Sequence, residues 1–351
     1  MGQEQTGIGG VTIMDLSGGL NYQKFSNQIE DRDAVDCQNA YWYDGRLRKM
    51  FGTIRINTTI GGAASTRDVT GIHDFQLRDG TRHKVVTTDN DILRRNGATW
   101  TSILGAHTIT NSKHRFITFN DRIIGTNYQD AVWSWDGIAA NVTDLGAAPR
   151  ARWIAVFNGR VCLGNVTVGG TNFKQRVYFS GLDDYTTYNL VDNYWEFETD
   201  DGQETTAGLP LGSRLIVYKS DSIGIVSGYG TSSWTVDRLF RKGIGCIAPG
   251  SLVQARMFIN NVMRDVHIFL SEDGIYAFDG SEIIRLSDKI KEYLKAQNQA
   301  LFSEAVGAYY APLEQYYLFF PALGSTVNNR GLIFDTRQGG FWPITDYRAN
   351  V

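Results

Sequence analysis

The sequence is poor in the residues that advertise chemistry. Its 351 residues include only 3 cysteines, 5 histidines and 6 prolines. Cys37, Cys162 and Cys246 are odd in number and far apart, and no C-x-x-C pair exists. That argues against a disulfide framework and against a thiolate metal cluster. The histidines, at positions 73, 83, 107, 114 and 267, have no metal-ligand spacing, and H-E-x-x-H is missing. "RHK" (82–84) and "KHR" (113–115) read as exposed charge. There is no G-x-x-x-x-G-K-[ST], and "GIGG" (7–10) has neither a strand before it nor a helix after it, so a phosphate cradle is unsupported. A G-x-S-x-G nucleophile elbow is absent too.

No run of eighteen apolar residues occurs, and the opening "MGQEQTGIGG" has no apolar signal core, so the expectation is a soluble, unexported chain. Gly2 with Thr6 fits the myristoylation pattern, and Asn57, Asn141 and Asn165 fit the glycosylation pattern; both patterns are short, and we read the matches as accidental. The net charge of −3 gives no general attraction to DNA or acidic membranes. Local basic runs (Arg46, Arg48, Lys49 and Arg55; Arg82, His83 and Lys84; Arg94 and Arg95) read as solvated strand faces.

What is present is glycine (38 residues), aromatics (12%) and internal repetition. Such a composition suits many short strands joined by tight turns. "FNDRIIGTN" (119–127) returns as "FNGRVCLGN" (157–165), with looser echoes at 79–91, 211–221, 263–274 and 313–322. Each has a polar turn followed by an apolar or alternating run, the pattern of a hairpin feeding a buried strand. A second phrase ends in Asx-Gly: "DNDILRRNG" (89–97), "YQDAVWSWDG" (128–137) and "SEDGIYAFDG" (271–280). Asn96, Asp136 and Asp279 stand before the glycine, and this pair reads as a type I′ turn because both central residues need positive φ.

Strand-opening phrases near 84, 122, 160, 214, 265 and 315 count six units. A four-stranded sheet repeated every forty to fifty residues is the pattern of a β-propeller. The fold expected is therefore all-β, a six-bladed propeller over residues 62–351, with seven blades left open by the irregular spacing. Residues 1–61 form an N-terminal extension, whose strand pattern at 35–57 is expected to close the ring on the last blade. "SDKIKEYLKAQNQALFSEAV" (287–306) breaks the rhythm: the spacing predicts a helix of three or four turns over 288–304, capped by Ser287, with Ile290, Leu294 and Leu301 on one face that packs on its own blade.

Propellers often host glycosidases, and acidic clusters occur at Glu30-Asp31-Arg32-Asp33, at Asp183-Asp184, and from Glu196 to Asp200-Asp201. Spacing alone does not pair them, and no sialidase-type Asp box is present. "ETDDGQE" (198–204) has too few ligands for an EF-hand loop and reads as a hairpin tip. The single Trp135-Asp136 is not a recurring WD signature. Trp100, Trp133, Trp135, Trp153 and Trp342 fall inside strand patterns, where packing between blades is expected before carbohydrate stacking. No catalytic, cofactor-binding or metal-ligating residue is assigned, no cofactor is called for, and the expectation is not an enzyme.

Several phrases together resemble those of tailed-phage virion proteins: "GGLN" (18–21) and "AVDCQNAYWYDGRLRKMFG" (34–52), then "RVYFSGLDDYTTYN" (176–189), "FLSEDGIYAFDGSEIIRLSDKIKEYL" (269–294), "QYYLFFP" (315–321) and "GLIFDTRQGGFW" (331–342). The resemblance is to β-propeller components of the neck or tail tube, the nozzle proteins of short-tailed phages. It implies a homo-oligomeric ring, six copies expected, that extends the DNA-ejection channel below the portal and adaptor. The partners implied are portal and adaptor ring proteins, tail fibre or spike proteins, and viral DNA in transit without sequence-specific binding; no membrane is involved. The implied location is the virion, after synthesis in the host cytoplasm. The contact elements a propeller does not need are residues 1–34, the helix 288–304, and the loops 166–175 and 198–210. A receptor-binding, glycan-recognising propeller is the alternative, and a propeller glycosidase the third reading.

Overall fold

The computed structural model describes residues 15–25, 28–50, 52, 60, 68–345, 347 and 349. Gly2, "GIGG", Arg55, Asn57 and the boundary at 61/62 lie outside the described residues.

Six sheets follow one another along the chain, five of four strands and a last of six. We number these blades 1 to 6: residues 69–102, 115–144, 150–196, 205–242, 253–285 and 306–345. In each blade the four strands pair in sequence order, antiparallel throughout. The first strands are innermost. Val69–Gln76 touches Arg115–Phe119, which touches Arg150–Phe157, which touches Thr205–Leu211; Val253–Ile259 touches Val306–Tyr310 in the same way. Successive four-stranded sheets packed face to face through their inner strands make a β-propeller.

The repeated phrase marks the first turn and second strand of each blade. Second strands run Arg82–Thr88, Arg122–Thr126, Arg160–Val168, Arg214–Lys219, Val262–Ser271 and Gln315–Pro321, matching all six expected positions. In three blades the turn before them is a two-residue loop with both residues at positive φ: Asn120 (46°) and Asp121 (57°), Asn158 (46°) and Gly159 (68°), Asn260 (52°) and Asn261 (63°). These are the type I′ geometries that match strand twist.

The Asx-Gly phrase works differently from expectation. Neither Asn96, Asp136 nor Asp279 has positive φ. Asn96 is the last strand residue, paired with Thr99, and the turn is Gly97-Ala98 with Gly97 at φ 59°. The carboxylate of Asp136 accepts the backbone N–H groups of Ile138 and Ala139, and that of Asp279 accepts those of Ser281 and Glu282. An Asx side chain imitates a backbone turn here instead of supplying a left-handed residue.

The cores are layers between blades. Blades 1 and 2 share Phe75, Val85, Ile123, Trp133 and Trp135; blades 2 and 3 share Ile124, Ile154, Leu163 and Tyr178. Blades 3 and 4 share Trp153, Phe179, Trp195, Leu215 and Val217; blades 4 and 5 share Ile216, Tyr218, Phe269 and Phe278. Blades 5 and 6 share Ile268, Ile275, Tyr316 and Leu318. Among the described residues no hydrophobic cluster joins blade 6 to blade 1.

The expected helix is broken. A 3-10 turn (Asp288–Ile290), one short α-helix (Lys291–Lys295) and a second 3-10 stretch (Gln299–Glu304) replace it. Ser287 does not cap it, because its hydroxyl accepts the backbone N–H of Ile275 at 3.0 Å. Asn298 ends the helical run by donating its backbone N–H to Pro321 and its side-chain amide to Ser325. The break rotates the second half, so Phe302 is buried with Ile290 and Leu294 while Leu301 is only half-buried. The segment does pack on blades 5 and 6.

The N-terminal extension meets the last blade through the expected segment and through an earlier one, and the strand pairing comes from the earlier one. Gly19–Leu20 pairs parallel with Phe341 and with Asp33–Ala34, widening blade 6 at its outer edge. Within 35–57 the described strands, Ala40–Tyr43 and Arg46–Lys49, pair with each other. That hairpin buries Tyr41 and Trp42 against Ile333, Trp342 and Ile344 of blade 6. Blade 6 already owns four strands from the C-terminal end of the chain, so the extension covers its edge and supplies no missing strand.

Candidate functional site: an axial depression

Because every first strand runs the same way, the segments leading into those strands converge at one end of the axis. There they line a depression of about 600 Å³. Blade 2 contributes Lys113, Arg115 and Tyr128, blade 3 Arg152, and blade 4 Glu204 and Thr205; Pro249 precedes blade 5, and Glu304 precedes blade 6. Two carboxylates thus meet three cations.

Lys113 pairs with Glu304 at 2.7 Å and also donates to the Glu304 carbonyl. Arg152 lies 3.9 Å from Glu204 and stacks on the Tyr128 ring, 4.6 Å from its centroid. Glu204 also accepts from the Asn165 amide at 3.2 Å. Tyr128 has φ 69°, a left-handed backbone unusual for a residue with a bulky side chain. Arg115 reaches across the axis: a Cβ added at Gly250, at the start of blade 5, would come 3.5 Å from its guanidinium. Loss of hydration holds the Arg115 pKa below its usual range, partly offset by Cys246 and Glu304. Among the described residues its guanidinium donates no hydrogen bond and has no carboxylate at ion-pairing distance.

The expectation of exposed charge at 113–115 therefore fails. His114 is buried, its Nδ1 3.2 Å from the Thr70 hydroxyl and 3.0 Å from the Ser112 carbonyl, and burial pushes its pKa down to about 4. His267 is likewise buried between blades 4 and 5: it donates Nε2–H to the Pro210 carbonyl and accepts the Tyr218 hydroxyl at Nδ1, with its pKa also lowered to about 4 by burial.

The acidic clusters picked out from the sequence do not converge on the depression. Asp33 is buried between Lys289 (2.7 Å) and Asn21 (2.7 Å). Asp184 holds the Thr186 backbone and hydroxyl, Glu196 pairs with Arg176, and Asp201 pairs with the buried Lys219 at 3.2 Å. "ETDDGQE" is the connection from blade 3 to blade 4, not a hairpin tip. Lys219 ties it down through Thr199 and Asp201, and 205–211 is the inner strand of blade 4, so 198–210 is not a free contact loop. Residues 166–175 are likewise a hairpin tip, turning at Gly169-Gly170, rather than a loop. Among the described residues no group of three or more His, Cys, Asp or Glu side chains gathers as a metal site.

Six tryptophans are buried, Trp42, Trp133, Trp135, Trp153, Trp195 and Trp342, and Trp100 and Trp234 are half-buried. Among the exposed apolar side chains, two groups stand out. One is at the outer edge of blade 6. Tyr22 donates its backbone N–H to Lys289, and Lys289 holds Asp33, so the extension is stitched to the inserted segment. Around this stitch Tyr22, Phe25, Val35 and Leu323 are exposed, Phe25 and Leu323 at 77% each. The second place is the face opposite the depression, where the loops before the fourth strands of blades 2, 3 and 4 expose Ile138, Leu182, Val191 and Tyr229. Glu204 ends the "ETDDGQE" stretch and Glu304 the helix-like segment, but neither pattern marks them, because their place at the axis depends on where each flanking strand begins.

Neither a family model nor a curated protein matches the chain. Solved structures do. The N-terminal domain of Nup159 aligns over 72% of this chain and 73% of its own, at 8% identity and TM-score 0.42. YCF48 bound to D1 peptide aligns over 75% and 78%, at 10% identity and TM-score 0.45. The extracellular domain of the putative one component system BT4673 from B. thetaiotaomicron aligns over 72% of this chain and 37% of its own, at 9% and 0.35. The assignment of the fold rests on the sheet order and the inter-blade cores.

Proposed function

We propose that this chain is a structural subunit of a tailed-phage neck or tail tube, a nozzle-like propeller assembled head to tail into a closed ring around the path of the ejected DNA. Its neighbours would be portal and adaptor rings above and fibre or spike proteins at its side, in the virion. The observation that carries the reading is the stitched edge of blade 6. A propeller gains no strand it lacks from Gly19–Leu20 and Asp33–Ala34, yet the buried Asp33 carboxylate, paired with the half-buried Lys289, fixes them there, with Tyr22, Phe25, Val35 and Leu323 left exposed. Exposed apolar groups gathered at one edge mark an association surface. In a six-bladed ring, blade 3 stands opposite blade 6, and blades 3 and 4 expose Leu182, Val191 and Tyr229. Two different patches, one at the edge of blade 6 and one on loops of blades 3 and 4 across the axis, are what a heterologous, ring-closing interface requires.

The test is the native mass in solution, by light scattering. A ring gives a closed multiple of 39.2 kDa; a strict monomer at high concentration would sink the reading. Phe25→Asp and Tyr229→Asp should each yield monomers. Mixed together they should yield a heterodimer and no ring, because one of the two patches survives on each.

A further inference from the structure

We infer that the axial depression is a binding site for a single carboxylate, held by the Arg115 guanidinium and flanked by the Arg152–Tyr128 stack. The inference does not depend on ring assembly. Three observations lead to it. First, the local charges do not cancel: Lys113, Arg115 and Arg152 against Glu204 and Glu304 leave three cations less two anions, a surplus of +1. Lys113 is taken by Glu304 at 2.7 Å and Arg152 is loosely held by Glu204 at 3.9 Å, which leaves Arg115 uncompensated.

Second, Arg115 is half-buried and projects across the axis, where the backbone at Gly250 bounds it. An arginine in a recess with no acceptor presents a planar fork of donors, and a carboxylate matches that fork with two parallel hydrogen bonds. Third, Tyr128 holds a left-handed backbone that places its ring beneath Arg152, so a second guanidinium is oriented at the wall. Backbone strain of this kind persists where the surroundings enforce it.

The surplus of one charge selects a monoanion over a phosphate dianion, since Glu204 and Glu304 in the same wall repel the second charge. A volume of about 600 Å³ admits a small organic acid or the acidic side chain of an inserted peptide segment. Both sources offer the same carboxylate.

The experiment follows 13C-labelled acetate by NMR line broadening on the full chain at constant ionic strength, with unlabelled acetate, inorganic phosphate, chloride and a glutamate-containing hexapeptide as competitors. Acetate should bind saturably and be displaced by unlabelled acetate, not by equimolar chloride. Arg115→Gln should weaken it at least about tenfold, and Arg115→Lys, which keeps the charge and loses the fork, several-fold. Arg152→Gln, on the more exposed wall, provides a second variant with less risk to folding and should weaken binding about threefold. Tighter competition by the hexapeptide than by acetate identifies a peptide source, and equal competition a free acid. Phosphate binding more tightly than acetate, acetate behaving as chloride does, or Arg115→Gln binding like the unmodified protein overturns the proposal.

Discussion

The seam between blades 3 and 4 and the seam between blades 6 and 1 are built from different materials. The first is aromatic. Trp153 lies between Gly164 of its own blade and Gly208 of the next, Trp195 packs edge-on to Trp234 at 4.8 Å, and Phe179 stacks 4.7 Å from Trp195. At the second seam the described contacts are polar. Lys113, in the segment joining blade 1 to blade 2, reaches Glu304 across the opening, and Val69, Thr70, Thr326 and Val327 border a gap of about 560 Å³. Five seams join blades adjacent in sequence, whereas the sixth joins the two ends of the chain and carries the entropy of closing the whole loop. Such a seam is the low-stability end of a domain, where opening begins.

Changes that probe this contrast should differ widely in size. Trp153→Ala empties the aromatic seam and should cost about 3–5 kcal/mol in chemical denaturation; a loss under about 1 kcal/mol would show that this layer does not hold the blades. Acidification acts on the buried seams next. His114 bridges blades 1 and 2, and His267 bridges blades 4 and 5, both neutral with pKa about 4 against 6.5 when unfolded. As pH falls the unfolded chain takes up protons first, so their contribution is intact above pH 6.5 and declines as pH drops toward 4. The loss approaches on the order of 3 kcal/mol per histidine. Stability measured across that window should fall, and His267→Gln should flatten the slope; a pH-independent stability would refute the assignment.

Gly208→Ala is smaller in chemistry but confined in space. Its Cβ would stand 2.2 Å from the Trp153 ring, which Gly164 backs so closely that a Cβ added there would stand 2.0 Å from it. The ring cannot retreat, and overpacking should cost about 1–3 kcal/mol by denaturation. Glu304→Gln should change global stability least, by under about 1 kcal/mol, because its pair with Lys113 is half-exposed. Its effect should surface instead as faster amide exchange in Asn328–Asp335, leaving blades 3 and 4 unaltered. Equal exchange in both would erase the distinction between the seams.

The periodic part of this fold was open to reading from the chain. Asn120-Asp121 and Asn158-Gly159 must take positive φ to turn within two residues, and each is followed by a run that must be buried, so local chemistry alone marks the first turn and second strand. The same logic misassigned Asp136 and Asp279, because an Asx residue has two ways to make a turn and spacing does not tell a carboxylate acceptor from a left-handed backbone. Helical spacing over 288–304 was genuine, yet Asn298 found better partners in Pro321 and Ser325, and tertiary hydrogen bonds outweighed a weak local preference.

By itself the sequence determined an all-β repeat of blade-sized units and tryptophans turned inward, since each follows from interactions within about forty residues, while the count of six against seven was settled by the sheet order. Only the tertiary structure decided the axial depression. Lys113 and Glu304 are 191 positions apart, Arg115 lies two residues after Lys113, and Arg152 and Glu204 come from two further places in the chain. Nothing in their local patterns distinguishes them from surface charge. They become a site because six inner strands start at the same end of one axis.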